Sequence, residues 1–105
     1  MTQAILARSQ DLDFLYYSND MIGAGGLLYC LDAGLDVPAD IGMAGFNGVE
    51  LIDGLPKRLA TMDSCRVEIG KTAAEMIAAG LDGTKQKMHR NVEISPVFAP
   101  GDTVR

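Results

Sequence analysis

Two asparagines stand directly after apolar runs, where their amide groups could bind a ligand rich in hydroxyls. Asn19 closely follows the run Phe14 to Tyr17, and Asn47 follows the run Ile41 to Phe46. Each amide offers N–H donors and a carbonyl acceptor, which suits hydroxyl groups that both give and accept hydrogen bonds. The structural alternatives are a helix N-cap at Asn19 and a turn residue before Gly48 at Asn47. The pattern alone leaves both interpretations open.

The sequence lacks the motifs of catalysis and of metal binding. There is no G-x-S-x-G, G-x-x-x-x-G-K-[ST] or H-E-x-x-H motif, and no Ser or Cys has a plausible His partner. Cys30 and Cys65 lie far apart, which favours reduced, buried thiols over a zinc site or a disulfide. The segment Gly23 to Gly26 lacks the G-x-G-x-x-G spacing of a dinucleotide-binding turn. We therefore expect no enzyme, no metal ion and no cofactor.

The charge balance argues against direct binding of nucleic acid by this chain. Nine basic and 14 acidic residues give a net charge of −5, which opposes contact with a phosphate backbone. We interpret the one basic segment, Lys85 to Arg90, as a solvated loop. The sequence has no recognisable secretion signal and no run of about 18 apolar residues. These patterns predict a cytoplasmic protein without a membrane partner.

The asparagines must be positioned by strands and helices of a βαβ unit. Residues 2–9 are typical of the end of a helix, and the run Phe14 to Tyr17 of a strand buried on both faces. From Asn19 the apolar positions recur at three- and four-residue steps, which predicts a helix ending at Gly34. Ile41 to Phe46 predicts a second strand. Short connections of this kind close right-handed into a parallel sheet, so the fold class is α/β.

The second half of the chain continues the alternation of strand and helix. Leu59 to Met62 predicts a third strand, followed by a helix capped at Asp63 or Ser64 that ends near Gly83. A last strand is expected around Val92 to Val97, and residues 99–105 have the pattern of a loose tail.

Three glycines at positions 23, 25 and 26 lie inside the first predicted long helix. Each costs a helix interior roughly 0.5–1 kcal/mol relative to alanine, so close packing is the usual compensation. We expect this helix face to lie against another backbone, within the domain or across a homodimer interface.

The chain resembles the lactose-repressor (LacI/GalR) family of bacterial transcription regulators. The similarity is carried by the run Y-S-N-D-M-I-G-A-G-G, the loop G-L-D-V-P-A-D-I and the turn G-F-N-G at the family's spacing, and by L-A-T-M-D and E-I-G-K-T-A-A-E-M-I. The resemblance implies a parallel-sheet α/β sandwich, a partial periplasmic-binding-protein-like type I fold with two lobes. By analogy, residues 1–57 and 90–98 belong to the carboxyl-terminal lobe, 58–89 cross to the amino-terminal lobe, and 99–105 form a tail. The DNA-binding domain would lie upstream and is absent from this chain.

The same resemblance implies site residues and partners. Asn19, Asn47 and Arg66 fall at effector-contacting positions, and many members carry Asp where Asn47 stands. Asn47 lacks the negative charge of that Asp, and Arg66 could clamp a carboxylate, so a sugar acid such as gluconate is the favoured effector. The sequence is also similar to the gluconate-repressor branch. A neutral sugar is the alternative. An exposed residue in the first helical turn is the structural alternative for Arg66. The resemblance also implies a homodimer, with an interface formed by Ala24, Gly25, Leu28, Tyr29, Leu51, Ile52 and Leu55.

Three functions remain possible at this point. The favoured one is the effector-sensing part of a repressor, coupled to DNA through an upstream helix-turn-helix. The second is a periplasmic sugar-binding protein of an uptake system, which would require an upstream secretion signal. The third, a doubly wound enzyme, would need all its catalytic residues from sequence outside this chain.

Overall fold

The computed structural model describes residues 1–9, 11–81 and 91–105. The predicted basic loop and the predicted helix end near Gly83 lie outside these residues. A 3-10 helix, Glu50–Gly54, accompanies the regular elements, which in chain order are α1 (Thr2–Arg8), β1 (Phe14–Tyr16), α2 (Asp20–Asp32), β2 (Gly42–Asn47), β3 (Ala60–Asp63), α3 (Arg66–Leu81) and β4 (Val97–Ala99).

The strands form one four-stranded sheet in the order β1-β2-β3-β4. β1 pairs with β2 and β2 with β3 in parallel, whereas β4 is antiparallel to β3. The predicted βαβ unit and the predicted α/β class are therefore confirmed. Because β1, β2 and β3 run in the same direction, their carboxyl ends meet at one edge of the sheet.

The core lies on one face of the sheet, under α2. It contains Leu15, Tyr17, Leu27, Cys30, Val37, Ile41, Met43, Ile52 and Leu59. The prediction that the first strand is buried on both faces is wrong, because Leu15 is buried whereas Phe14 and Tyr16 are exposed, Tyr16 to 62%. Successive strand residues point to opposite faces, so the described residues cover only one side of β1.

Two of the three helix glycines are explained by packing within the chain. A Cβ at Gly23 would lie 2.7 Å from Leu59 Cδ2, and one at Gly26 would overlap the phenol ring of Tyr17. Gly25 faces open space, since a Cβ there would have no heavy atom within 4 Å. Gly23 and Gly26 thus leave room for neighbouring side chains. The sequence predicted contact with a backbone instead.

The third strand belongs to the same sheet as the first two. The prediction that residues 58–89 cross to another lobe is wrong for β3, since Ala44 pairs with Ala60 and Asn47 with Asp63. The chain leaves this sheet only after Asp63, through Cys65 at φ 56°, and α3 begins at Arg66. Asp63 Oδ1 accepts from Cys65 N at 2.8 Å, so this carboxylate terminates the strand ahead of the helix. The location of α3 in a second lobe stays a prediction.

The carboxyl-terminal residues are anchored. The last strand is Val97–Ala99, after Pro96, and the stretch from Val92 to Pro96 is irregular, so the predicted strand is displaced along the chain. The prediction of a loose tail is also wrong: Thr103 is fully buried, and its Oγ1 donates to Met43 O at 2.7 Å and accepts from Ala60 N at 2.8 Å. This hydroxyl joins β2 to the start of β3, which no local pattern in the tail indicates.

Candidate functional site

The carboxyl ends of the three parallel strands carry Asn19, Asn47 and Asp63. Tyr16 pairs with Ala44, and each asparagine stands three residues after its member of that pair. Asn47 in turn is the direct register partner of Asp63. Ligands of open parallel sheets bind at this edge, where strand ends and helix N-termini converge. The structure therefore brings the two predicted asparagines to one edge and adds a carboxylate that the sequence interpretation assigned only to a helix cap.

Asn19 is the N-cap of α2. Its Oδ1 accepts from Ile22 N at 3.0 Å, and its backbone is extended. The amide nitrogen has no hydrogen-bond partner among the residues that the structure describes. The structural alternative for Asn19 is thus confirmed, and the side chain retains a donor at the sheet edge.

Asn47 ends β2 in an unusual backbone conformation, with φ at 110°. Its carbonyl accepts from Ser64 N and from Ser64 Oγ, both at 3.3 Å, which ties the end of β2 to the end of β3. Gly48 follows with φ at 68°, and a Cβ there would lie 2.6 Å from Asp63 Cγ. Asn47 is thus the last residue of β2 and has a positive φ, and the glycine that follows is required for the Asp63 carboxylate to approach.

Arg66 lies beside these residues with its guanidinium already engaged. Nη2 donates to Gly48 O at 3.1 Å and to both carboxylate oxygens of Glu50 at 3.2 Å. The pKa of Glu50 lies below its ordinary value, first because its own backbone N–H donates to the carboxylate and then because Arg66 does so. The Arg66 side chain is 46% exposed. Nε and Nη1 have no hydrogen-bond partner within the described part of the chain, so they remain available to a ligand.

A groove of about 560 Å³ opens next to this edge. It contains both signs of charge and is lined by Gly48, Glu50, Asp63, Cys65, Arg66, Val67, Glu68 and Lys71. Arg66 and Asp63 face it, whereas the two asparagines are not among the residues that line it. Such a surface can offer a cation to an acid group and a carboxylate to hydroxyls.

In residues 1–9, 11–81 and 91–105, no group of three His, Cys, Asp or Glu side chains is arranged to hold a metal ion. None of the helices in these ranges is long and apolar enough to cross a membrane.

Known proteins share this architecture. The family model described as a periplasmic binding protein-like domain matches residues 6–104. A solved structure of a LacI-family transcriptional regulator from Silicibacter pomeroyi is 58% identical, with a TM-score of 0.93 over 100% of this chain and 32% of its own. The chain belongs to the periplasmic-binding-protein-like domains of the LacI family.

Two further proteins are similar to this LacI-family chain. The transcriptional regulator IdnR of Escherichia coli K12 is 32% identical over 94% of this chain and 30% of its own length. A LacI-family regulator from Arthrobacter sp. FB24, solved in complex with lactose, has the same fold, at 24% identity and a TM-score of 0.88 over 99% of this chain and 39% of its own. The chain thus spans about a third of the length of the relatives that it matches.

The predicted dimer-interface residues of this LacI-family domain divide into three groups. Gly25, Leu28 and Leu51 are exposed, and Tyr29 and Leu55 are half-buried. Ala24 and Ile52 are only 4% and 2% exposed, because they pack inside this chain, which leaves little of their surface for a partner. The resemblance assigns a helix and a loop to the interface but does not decide which of their residues turn inward.

Asp20 is the buried acid that the sequence interpretation passed over. It is fully buried at the start of α2, where Oδ1 accepts from Thr61 Oγ1 at 2.7 Å and Oδ2 from Val49 N at 3.0 Å. The signal available in the sequence was an acid at the first turn of a helix, which normally indicates an exposed capping residue. Its partners are 29 and 41 residues away, beyond any local pattern.

Proposed function

We propose that this chain is the effector-sensing part of a LacI-type transcriptional repressor, with its ligand bound at the carboxyl edge of the sheet. The observation that carries the proposal is the register that aligns Asn19, Asn47 and Asp63 along that edge, with Arg66 beside them. The regulators among its relatives support a sensing role. We assign no catalytic step to these residues. Their hydrogen bonds hold the strand ends in place, and their remaining N–H groups can donate to a ligand.

The second lobe of the site is proposed to contain α3 together with the rest of the protein. α3 has no buried residue, and its large apolar side chains apart from Met76 are exposed, Val67 to 85%. We assign α3 to the amino-terminal lobe, and residues 1–57 with β3 and the last strand to the carboxyl-terminal lobe. Cys65 lies where the chain crosses between them, so closure of the lobes on a ligand would be transmitted through the segment that carries Arg66.

The favoured ligand is a sugar acid such as gluconate. Arg66 supplies a guanidinium for the carboxylate, and Asn47 presents an amide without negative charge at the same edge. The amide of Asn19 and the carboxylate of Asp63 suit the hydroxyls. A neutral sugar is the alternative, and it is supported by the lactose complex of the Arthrobacter regulator.

Calorimetric titration of the protein expressed from its complete gene tests this assignment. We expect D-gluconate to bind more tightly than D-glucose, and Arg66→Ala to weaken gluconate binding by about tenfold or more while leaving glucose nearly unchanged. Lys71→Ala is the matched control, since Lys71 lines the same groove but pairs with Glu75. Tighter binding of glucose, or equal effects of the two substitutions, would contradict the sugar-acid proposal.

Contact with DNA is assigned to an upstream helix-turn-helix, and this requires a cytoplasmic protein. The net charge of −5 argues against DNA binding by these residues themselves. A signal peptide upstream of Met1 in the complete gene would instead favour a periplasmic sugar-binding protein, and a helix-turn-helix there would support the repressor.

The protein is proposed to act as a homodimer through the exposed residues of α2 and of the 3-10 helix. Leu28 and Leu51 are both about half exposed, and Gly25 leaves α2 open to close approach. We expect Leu28→Lys to shift the sedimentation coefficient from dimer to monomer. Leu12→Lys, a change at an exposed leucine outside this surface, is the control. A dimer that survives Leu28→Lys would contradict this interface.

A further inference from the structure

A buried hydrogen-bond cluster lies directly beneath the candidate site. Asp20 accepts from Thr61 Oγ1 and from Val49 N, and Gly48 N donates to Thr61 Oγ1 at 3.3 Å. Asp20 is 0% and Thr61 1% exposed, so the bond between them is shielded from solvent, and the bonds from Val49 N and Gly48 N are partly shielded. A carboxylate without solvent depends on such donors, which makes their loss costly and their geometry well defined.

Each member of this cluster is close in sequence to a residue of the site. Asp20 follows Asn19, Gly48 follows Asn47, and Thr61 precedes Asp63 by two positions on β3. The cluster therefore connects the start of α2, the end of β2 and β3 through two side chains.

The surroundings leave the Asp20 carboxylate little freedom. A Cβ at Gly45 would lie 3.1 Å from Asp20 Cα and 3.2 Å from Leu59 Cδ2, so α2 approaches β2 more closely than a larger residue would permit. Thr61 is β-branched, and such side chains have few χ1 rotamers. The hydroxyl is accordingly held in place between Asp20 and Gly48.

We infer that Asp20 and Thr61 are positioning residues of the effector site: without contacting the ligand, they set the relative positions of Asn19, Asn47 and Asp63. This inference rests on the proposed function. Asn47 depends most on the cluster, because φ at 110° is unfavourable for a side-chain-bearing residue and persists only where the surrounding structure holds it. Hydrogen bonds to a ligand demand donor–acceptor distances of about 2.7–3.2 Å, so a small shift of one strand end weakens binding.

The chain contains a matched control for this inference. Thr103 is as deeply buried as Thr61, and its hydroxyl also makes two hydrogen bonds that join segments of the sheet. It lies at the amino ends of β2 and β3, opposite the site. Removing either hydroxyl should lower stability, but only Thr61 should affect ligand binding.

The experiment compares Thr61→Val, Thr61→Ser, Thr103→Val and Thr103→Ser in the protein from its complete gene. Melting temperature and affinity for D-gluconate and D-glucose are measured for each. We expect both valine variants to melt earlier, Thr61→Val alone to weaken binding by about tenfold or more, and Thr61→Ser to restore it. Thr103→Val should stay within about twofold of the original affinity.

The outcomes separate this inference from the proposed function. If the unmodified protein binds either sugar, then equal affinity losses in Thr61→Val and Thr103→Val, or no loss in Thr61→Val, would overturn the positioning role alone. If the unmodified protein binds neither sugar, the proposed function fails and the inference with it. Asp20→Asn provides a second variant should Thr61→Val not fold: it keeps the volume but replaces one acceptor by a donor, and unchanged affinity there would equally overturn the role.

Discussion

Arg66 and Glu50 form an ion pair at the groove, with Arg66 Nη2 lying 3.2 Å from each carboxylate oxygen of Glu50. An acid ligand that binds Arg66 must share the guanidinium with Glu50 or displace the Glu50 carboxylate. Glu50 lies at the start of the 3-10 helix Glu50–Gly54, whose exposed Leu51 belongs to the proposed dimer surface. The proposed ligand site and the proposed dimer surface are therefore adjacent in the chain at Glu50 and Leu51.

Replacing Glu50 by glutamine should raise the affinity for D-gluconate, because the amide competes less well for the guanidinium. We expect an increase of less than about tenfold, since exposed ion pairs are weak, and no change for D-glucose. Calorimetry with Glu68→Gln as control measures this, as Glu68 lines the groove without a hydrogen bond to Arg66. Weaker gluconate binding in Glu50→Gln would show that Glu50 does not compete with the ligand.

The same ion pair should make stability depend on pH in a defined direction. The pKa of Glu50 is held below its ordinary value of 4.5 by its backbone N–H and by Arg66, so the folded state favours the carboxylate. This contribution is present above pH 4.5 and is lost as the pH falls through the lowered pKa. Urea unfolding of the original protein and of Glu50→Gln across this range should show a difference that shrinks in acid. A difference that grows in acid would contradict it.

Replacing Thr103 by alanine should destabilise the chain although it lies close to the carboxyl terminus. The substitution leaves Ala60 N without its acceptor and Met43 O without this donor, at a cost of about 1–3 kcal/mol. Urea unfolding measures the change in the free energy of unfolding. An unchanged value would mean that residues 99–105 form the loose tail that the sequence predicts.

Two helix glycines should respond oppositely to alanine. Gly25→Ala should raise the free energy of unfolding by about 0.5–1 kcal/mol, since the added methyl meets no atom within 4 Å and alanine favours the helix. Gly26→Ala should lower it by about 1–3 kcal/mol, because the methyl overlaps the ring of Tyr17. Thermal unfolding of both variants is the measurement. The same sign for both would contradict the packing described.

Residues that interact with near neighbours were predictable. The strand-to-helix change at Asn19, the parallel arrangement of the first two strands and the end of the second strand near Asn47 follow from apolar spacing, capping chemistry and short connections. These features depend on side chains a few positions apart, and the structure confirms them. The two asparagines could therefore be placed at one edge without coordinates.

The sequence by itself thus determined the type and order of most elements and the residues at the ends of the first two strands, because local propensity and periodicity encode both. Only the tertiary structure decided that Ala24 and Ile52 turn inward, that β3 remains in the first sheet, and that Thr103 anchors the tail. It alone revealed that Asp20 joins Thr61 beneath the site. These contacts span up to 60 residues. Strand register and core packing select them, and neither leaves a signature in the few residues on either side.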